Sequence, residues 1–346
     1  MTGRIGRRAL GAGLAGLGGG LLAAPRPSLA QAPHRLKFTL DWTIHGGYSF
    51  AVAAERNGIF RRHNLEMPIN RGYGSGRVPI DIAAGTYELG FGDLTPQLRF
   101  MAENPGRELV CVAVLYDRSP LSATVRADGP IRDPKGLAGK TLAAPELDGG
   151  RQIFPVFAQA IGLDLGSITW MSVSPELREP MLVQKRADGI TGFVTSTALS
   201  LKALGMDLPQ QRIFYYRDAG LDFYGSGLVT TRAVLREKPE AVRAAVAALT
   251  EGMVWAYKNP AEAVAALKAR EPLVDLPIEA ERQKLAFDQM LISDPVMRNG
   301  LSYVEPARLK RQIDATVDTF KLPNRPTPEQ AFTDEFLPAK NLRMLS

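Results

Sequence analysis

The stretch Leu36-Lys37-Phe38-Thr39-Leu40-Asp41-Trp42-Thr43-Ile44-His45-Gly46-Gly47-Tyr48 decides the fold. Residues 36–40 read as a short apolar strand, and Asp41-Trp42-Thr43 as the turn that leaves it. A helical pattern runs from about 47 to 57, with Gly58 where a C-terminal cap belongs. Strand, loop and helix then recur outward. Residues 65–70 read as a strand, 72–76 as a glycine-rich loop and the stretch to Ala84 as a short helix. Residues 88–92 and 109–116 read as further strands. Short apolar strands alternating with helical patterns indicate an α/β chain with a largely parallel sheet.

The pattern changes near Leu121–Arg126. Asp128-Gly129-Pro130-Ile131-Arg132-Asp133-Pro134-Lys135-Gly136 is dense in turn formers and reads as a crossing between two bodies. A second set follows, with strands at 140–144, 168–173, 189–193 and 213–216 and helices at 152–161 and 176–184. The strand at 224–230 reads as a return crossing. From Thr231 the spacing is almost wholly helical, at 239–257, 260–269, 279–291 and 306–320. The expected architecture has two α/β lobes and two crossovers. Lobe 1 is 31–123 with 225–346, lobe 2 is 124–224, and the helical C-terminal tail packs back onto the first lobe.

The 346 residues suffice for two cores. The net charge of +6 suggests a polyanion partner only until its origin is traced. Residues 1–30 hold Arg4, Arg7, Arg8 and Arg26 and no acid. Of the 42 basic residues, removing these four leaves 38 against 36 acidic ones, a net of +2, so no nucleic-acid partner is expected. Arg7-Arg8 followed by a glycine-rich apolar run and Ser28-Leu29-Ala30 reads as a twin-arginine-like signal peptide cleaved near Ala30. Its sequel is a periplasmic protein.

Catalytic signatures are missing from the sequence. The three histidines have no metal-ligand spacing, and no nucleophile elbow, dinucleotide fingerprint or phosphate-binding loop occurs. No metal, cofactor or enzymatic activity is expected. The one cysteine, Cys111, sits in an apolar run.

In open α/β sheets, ligands lie at the C-terminal ends of strands. Three such loops combine aromatic, carboxylate and hydroxyl groups: Asp41-Trp42-Thr43, Gly72-Tyr73-Gly74-Ser75 and Gly92-Asp93-Leu94-Thr95-Pro96. Each residue also has a structural reading, with Asp41 as a helix cap, Trp42 as a core aromatic and the glycines as turn residues. Across the expected cleft, Arg151 near a helix start could meet an anion, and Thr195 offers a hydroxyl. Tyr224 lies near the return crossing.

Leu40-Asp41-Trp42, His45-Gly46-Gly47-Tyr48, Gly72-Tyr73-Gly74-Ser75-Gly76, Leu89-Gly90-Phe91-Gly92-Asp93 and Asp133-Pro134-Lys135-Gly136 together carry a resemblance. Over about residues 35–260 the chain resembles the solute-binding proteins similar to thiamine-pyrimidine-precursor synthases. That resemblance implies a type II periplasmic-binding-protein fold, a small-molecule ligand at the hinge, and an inner-membrane ABC permease with its ATPase as partners. It adds His45 and Tyr48 to the ligand-binding set. A monomer capturing a planar nitrogen-containing or heteroaromatic solute is expected, stacked on Trp42 and Tyr73 and held by Asp41 and Asp93. The alternatives are a sulfonate or other organic anion held through Arg151, a sensory module using the same cleft, and, disfavoured, a pyrimidine-precursor-synthesis enzyme. The fungal enzymes of the family carry a cysteine-rich motif that is absent here.

Overall fold

Two five-stranded sheets of the same internal order organise the chain, seen in a computed structural model that describes residues 32–346. The expected signal peptide lies outside the described residues. In chain order the strands are β1 His34–Arg35, β2 Phe38–Thr39, β3 Leu65–Glu66, β4 Ile69–Asn70, β5 Leu89–Asp93 and β6 Leu109–Val114. Then follow β7 Leu121–Arg126, β8 Thr141–Ala144, β9 Thr169–Ser172, β10 Gly189–Phe193, β11 Gln211–Tyr215 and β12 Ser226–Thr231. The first sheet runs β4-β2-β5-β12-β6 and the second β9-β8-β10-β7-β11, with β1 and β3 forming a small separate ladder.

Each sheet contains one reversed strand. β12 is antiparallel to β5 and β6, and β7 is antiparallel to β10 and β11. Both reversed strands are the ones that arrive from the other lobe. The other four strands of each sheet run parallel, so the sheets are largely parallel, as the alternation of strands and helices suggests, and the reversed strand is the part that the alternation does not reveal. Period and spacing report an element's type and not its direction.

The crossings also fall elsewhere than expected. The first is 115–120 and the return is 216–225. Residues 128–136 instead form a turn-rich link between β7 and β8 inside the second lobe. The second sheet takes up the chain at Leu121, three residues before the expected division. A crossing that is extended and buried has no turn signature, and Leu115, Tyr116, Asp117, Ser119 and Pro120 are all buried. The two crossings lie against one another: Ser119 N donates to Phe223 O at 3.0 Å. The Arg308 guanidinium grips both, reaching Asp117 Oδ1 at 2.9 Å and Phe223 O at 3.2 Å. At Gly225 an added Cβ would stand 2.5 Å from Arg118 O, so only glycine permits this approach.

The first core surrounds Phe38, Leu40, Phe50, Phe91 and Tyr116. The helix Ser49–Arg56 is alanine-rich, and its residues from Ser49 to Ala54 are all buried. Small side chains let the helix Pro239–Lys258 approach closely: a Cβ on Gly252 would sit 2.7 Å from the Ala54 Cβ. The second core gathers Leu121, Leu142, Phe154, Phe157 and Tyr216, with the Phe157 and Tyr216 rings stacked at 4.3 Å.

The tail does not confine itself to the first lobe. Helices Pro239–Lys258 and Pro260–Arg270 pack on Ser49–Arg56, as expected. Leu276–Ala286 lies against Val194–Ala203 of the second lobe, and Pro306–Phe320 touches both Leu94–Glu103 and Gly149–Ile161. The polar positions Glu279, Arg282 and Gln283 explain this. Apolar periodicity cannot foresee a helix that is held by buried hydrogen bonds.

Candidate functional site

Loops at the strand ends of both lobes meet in one interlobe cavity, lined by Asp41, Trp42, His45, Tyr48, Ser75, Asp148, Arg178, Phe193 and Ser196. In this conformation about 10 Å³ of free space remains between them, room for about one water.

The first-lobe wall is a hydrogen-bonded unit. Asp41 follows β2 and is buried. Its Oδ1 accepts from the Tyr48 hydroxyl and its Oδ2 from Ser75 Oγ, both at 2.6 Å. Burial raises the Asp41 pKa above the usual carboxylate value, and these two donors oppose the rise. Gly74 makes the loop possible. Its φ of +132° is a glycine conformation, its N–H reaches Asp41 O at 2.7 Å, and a Cβ would collide with Leu147 O at 2.2 Å.

His45 caps the short turn Gly46–Tyr48, with Nδ1 accepting from Gly47 N at 3.0 Å. Burial, then the nearby Arg282 and Arg178 charges, hold the His45 pKa well below its ordinary value, so the ring is neutral. An accepting Nδ1 on a neutral ring places the proton on Nε2, making that atom a donor. The ring packs 4.5 Å from that of Tyr48.

The second-lobe wall is charged and fully paired. Arg178 is buried (1% exposed). Its Nη1 donates to Asp148 Oδ2 at 3.0 Å, Nε and Nη2 to Glu179 Oε1 at 2.9 and 2.6 Å, and Nη2 to Ser196 Oγ at 3.1 Å. Burial opposes its charge, but Glu179 and Asp148 outweigh that and raise the Arg178 pKa. The guanidinium carbon stands 4.6 Å over the Trp42 ring, a cation–π contact from one lobe to the other.

The helix Leu276–Ala286 straps the two walls together. Glu279 Oε2 accepts from Gly46 N, and Gln283 Nε2 donates to Ser49 Oγ at 2.7 Å on the first-lobe side. Arg282 Nη1 donates to the Thr195 and Ser196 carbonyls at 2.8 and 2.9 Å on the second.

Of the residues singled out in the sequence, Asp41, Trp42, His45, Tyr48 and Ser75 line the cavity, and Gly74 shapes its loop. The others do not reach it. Tyr73 is 58% exposed and faces an outer depression of about 380 Å³, with Arg71 over its ring. Asp93 caps the helix Leu94–Glu103 through Thr95 N at 2.8 Å and accepts from Ser119 Oγ at 3.1 Å. The Thr95 hydroxyl accepts from Gln312 Nε2 at 2.9 Å. Arg151 turns to Ala144 O and Ser172 Oγ at 3.1 and 2.9 Å, beside Trp170. Thr195 offers its carbonyl to Arg282, and the Tyr224 hydroxyl accepts from Glu305 N at 2.7 Å.

Sequence reasoning missed Asp148, Arg178 and Phe193 as lining residues, and of the hydroxyl run Thr195-Ser196-Thr197 that follows Phe193 it is Ser196 that lines the cavity. The strand-end rule pointed at the loop after β8, where Asp148 sits three residues before Arg151. It also covers the ends of β9 and β10, which lead to Arg178, Phe193 and Ser196.

Comparison with known proteins brings these features together. A family model described as NMT1/THI5 like matches residues 46–263. A formylaminopyrimidine-binding protein of Halalkalibacterium halodurans is 26% identical over 267 residues, covering 74% of this chain and 77% of that one. Riboflavin-binding protein RibY of Chloroflexus aurantiacus is 20% identical over 326 residues, covering 91% and 90%. The alkanesulfonate-binding protein SsuA of Xanthomonas axonopodis pv. citri, solved bound to MOPS, has a TM-score of 0.67. It is 16% identical and covers 88% of this chain and 99% of that one, a likeness of fold.

Proposed function

The chain belongs to the NMT1/THI5-like family, and from that premise we propose that it captures a flat, nitrogen-containing or heteroaromatic solute between its lobes for an ABC importer. The observation that carries this reading is the meeting of Trp42, Asp41 and a neutral His45 with a second-lobe wall in one interlobe cavity. An indole ring supplies a stacking face, the buried carboxylate an acceptor, and His45 Nε2 a donor, which suits a ring bearing both kinds of polar edge.

A bare oxyanion is a poorer fit. Asp41 and Asp148 outnumber Arg178 among the lining residues, and Arg151 lies outside the lining. Binding is favoured over catalysis because the Cys111 thiol is buried in β6, pushed up to about 12, and bonded to Ala113 O at 3.2 Å. We assign residues 1–30 to an export signal cleaved near Ala30 and the mature protein to the periplasm as a monomer. We divide the lobes at the two crossings, which moves the first boundary from the expected 123/124 to before Leu121, so that 121–215 lie in lobe 2 and the chain on either side lies in lobe 1. A membrane permease and its ATPase would receive the ligand.

Thermal unfolding of the mature protein with formylaminopyrimidine, riboflavin and MOPS tests the reading. Ligand at 100 times Kd adds about 2.7 kcal/mol of stability, so a flat ligand should raise Tm by several degrees. Stabilisation by MOPS alone would move the reading to sulfonates.

A further inference from the structure

Resting on the reading above, we propose that Arg178 is a specificity-determining residue. It offers the flat face of its guanidinium to the ligand, so that the ring is clamped between Arg178 on one lobe and Trp42 on the other. Three observations carry this. First, the hydrogen bonds of Arg178 all run to its own lobe, to Asp148, Glu179 and Ser196, and occupy four of its five N–H donors. The donors lie in the guanidinium plane, so all but one N–H of the edge is used within the second lobe, while the guanidinium carbon stands 4.6 Å over the Trp42 ring. Second, the group is buried and held by two carboxylates, so moving it would strand buried charge. It stays in place while the opposite wall moves. Third, the cavity holds only about 10 Å³ in this conformation, so a ring enters by parting its walls. The Arg178 guanidinium carbon already lies over the Trp42 ring, and separating the two groups by one ring thickness makes a slot for a flat ligand.

The chemical consequence is selection by face. A guanidinium plane stacks on electron-rich or neutral π systems and repels a cationic ring. The ligand class is therefore narrowed to uncharged aromatic rings, excluding aromatic cations and compact sulfonates that need the guanidinium edge.

Arg178→Lys keeps a charge for Asp148 and Glu179 but removes the plane. Calorimetric titration with formylaminopyrimidine, riboflavin and MOPS is expected to show the flat ligand weakened at least about ten-fold by this substitution. Equal affinity in wild type and variant overturns the role of Arg178 and leaves the functional reading standing. If wild type binds neither flat compound, the functional reading falls and this inference with it. If the variant does not fold, wild-type protein decides: NOEs between the ring protons of the bound ligand and the Arg178 Hδ protons are expected. Their absence in a saturated complex overturns the clamp.

Discussion

Asp93 shows how one residue type at one strand end can serve two different ends. Asp41 follows β2 and Asp93 ends β5, each at the C-terminal end of a first-lobe strand with a helix beyond. Asp41 turns into the cavity because Tyr48 and Ser75 hold both its oxygens there. Asp93 is consumed in capping Leu94–Glu103, which neither sequence spacing nor composition distinguishes. Burial lifts the Asp93 pKa to about 7, against the pull of Thr95 and Ser119. A carboxyl whose folded pKa is raised stabilises the fold fully below its unfolded value near 3.8, and that stability is lost as pH rises to about 7. Asn caps helices as well as Asp and does not titrate. Wild type is therefore expected to lose up to about 4 kcal/mol relative to Asp93→Asn between pH ~4 and ~8. Urea unfolding of both proteins across that range measures it, and parallel curves would refute it.

At the scale of the element, strands and long helices were legible because apolar spacing reports burial directly. β10 and the helix Pro306–Phe320 fall where spacing put them. The expected strand at 65–70 is split, because Pro68 follows β3 and sends β4 to another sheet. The first two cavity loops were legible for the same reason as the strands they follow. The second-lobe wall was not. Glu176-Leu177-Arg178-Glu179 reads locally as a charged helix start, and the burial of Arg178 depends on partners that include Asp148, 30 residues away. The Gly74 loop offers the cleanest test of how the walls fit. Gly74→Ala strains a φ of +132° and drives a Cβ into Leu147 O. We expect a loss on the order of 1–3 kcal/mol and weaker ligand binding, since the added methyl wedges the lobes apart. An unchanged Tm together with unchanged affinity would show that the lobes do not need this contact.

Across the whole molecule, the two sheets repeat one strand order although no repeat is visible in the sequence. Topology is conserved here by backbone pairing, which many side-chain sets satisfy. The reversed strands place both crossings side by side under Arg308, and we expect the lobes to bend at that seam. The shut cavity has a kinetic consequence. A ring cannot enter a gap of about 10 Å³, so every capture event waits for the hinge to open. In stopped-flow mixing, the observed rate should therefore level off at high ligand concentration, at the opening rate of the hinge. A rate that climbs linearly throughout would mean that the wide form dominates in solution. Where the rate levels off, uptake at high solute is paced by this protein's own hinge, and tighter binding alone cannot make it faster.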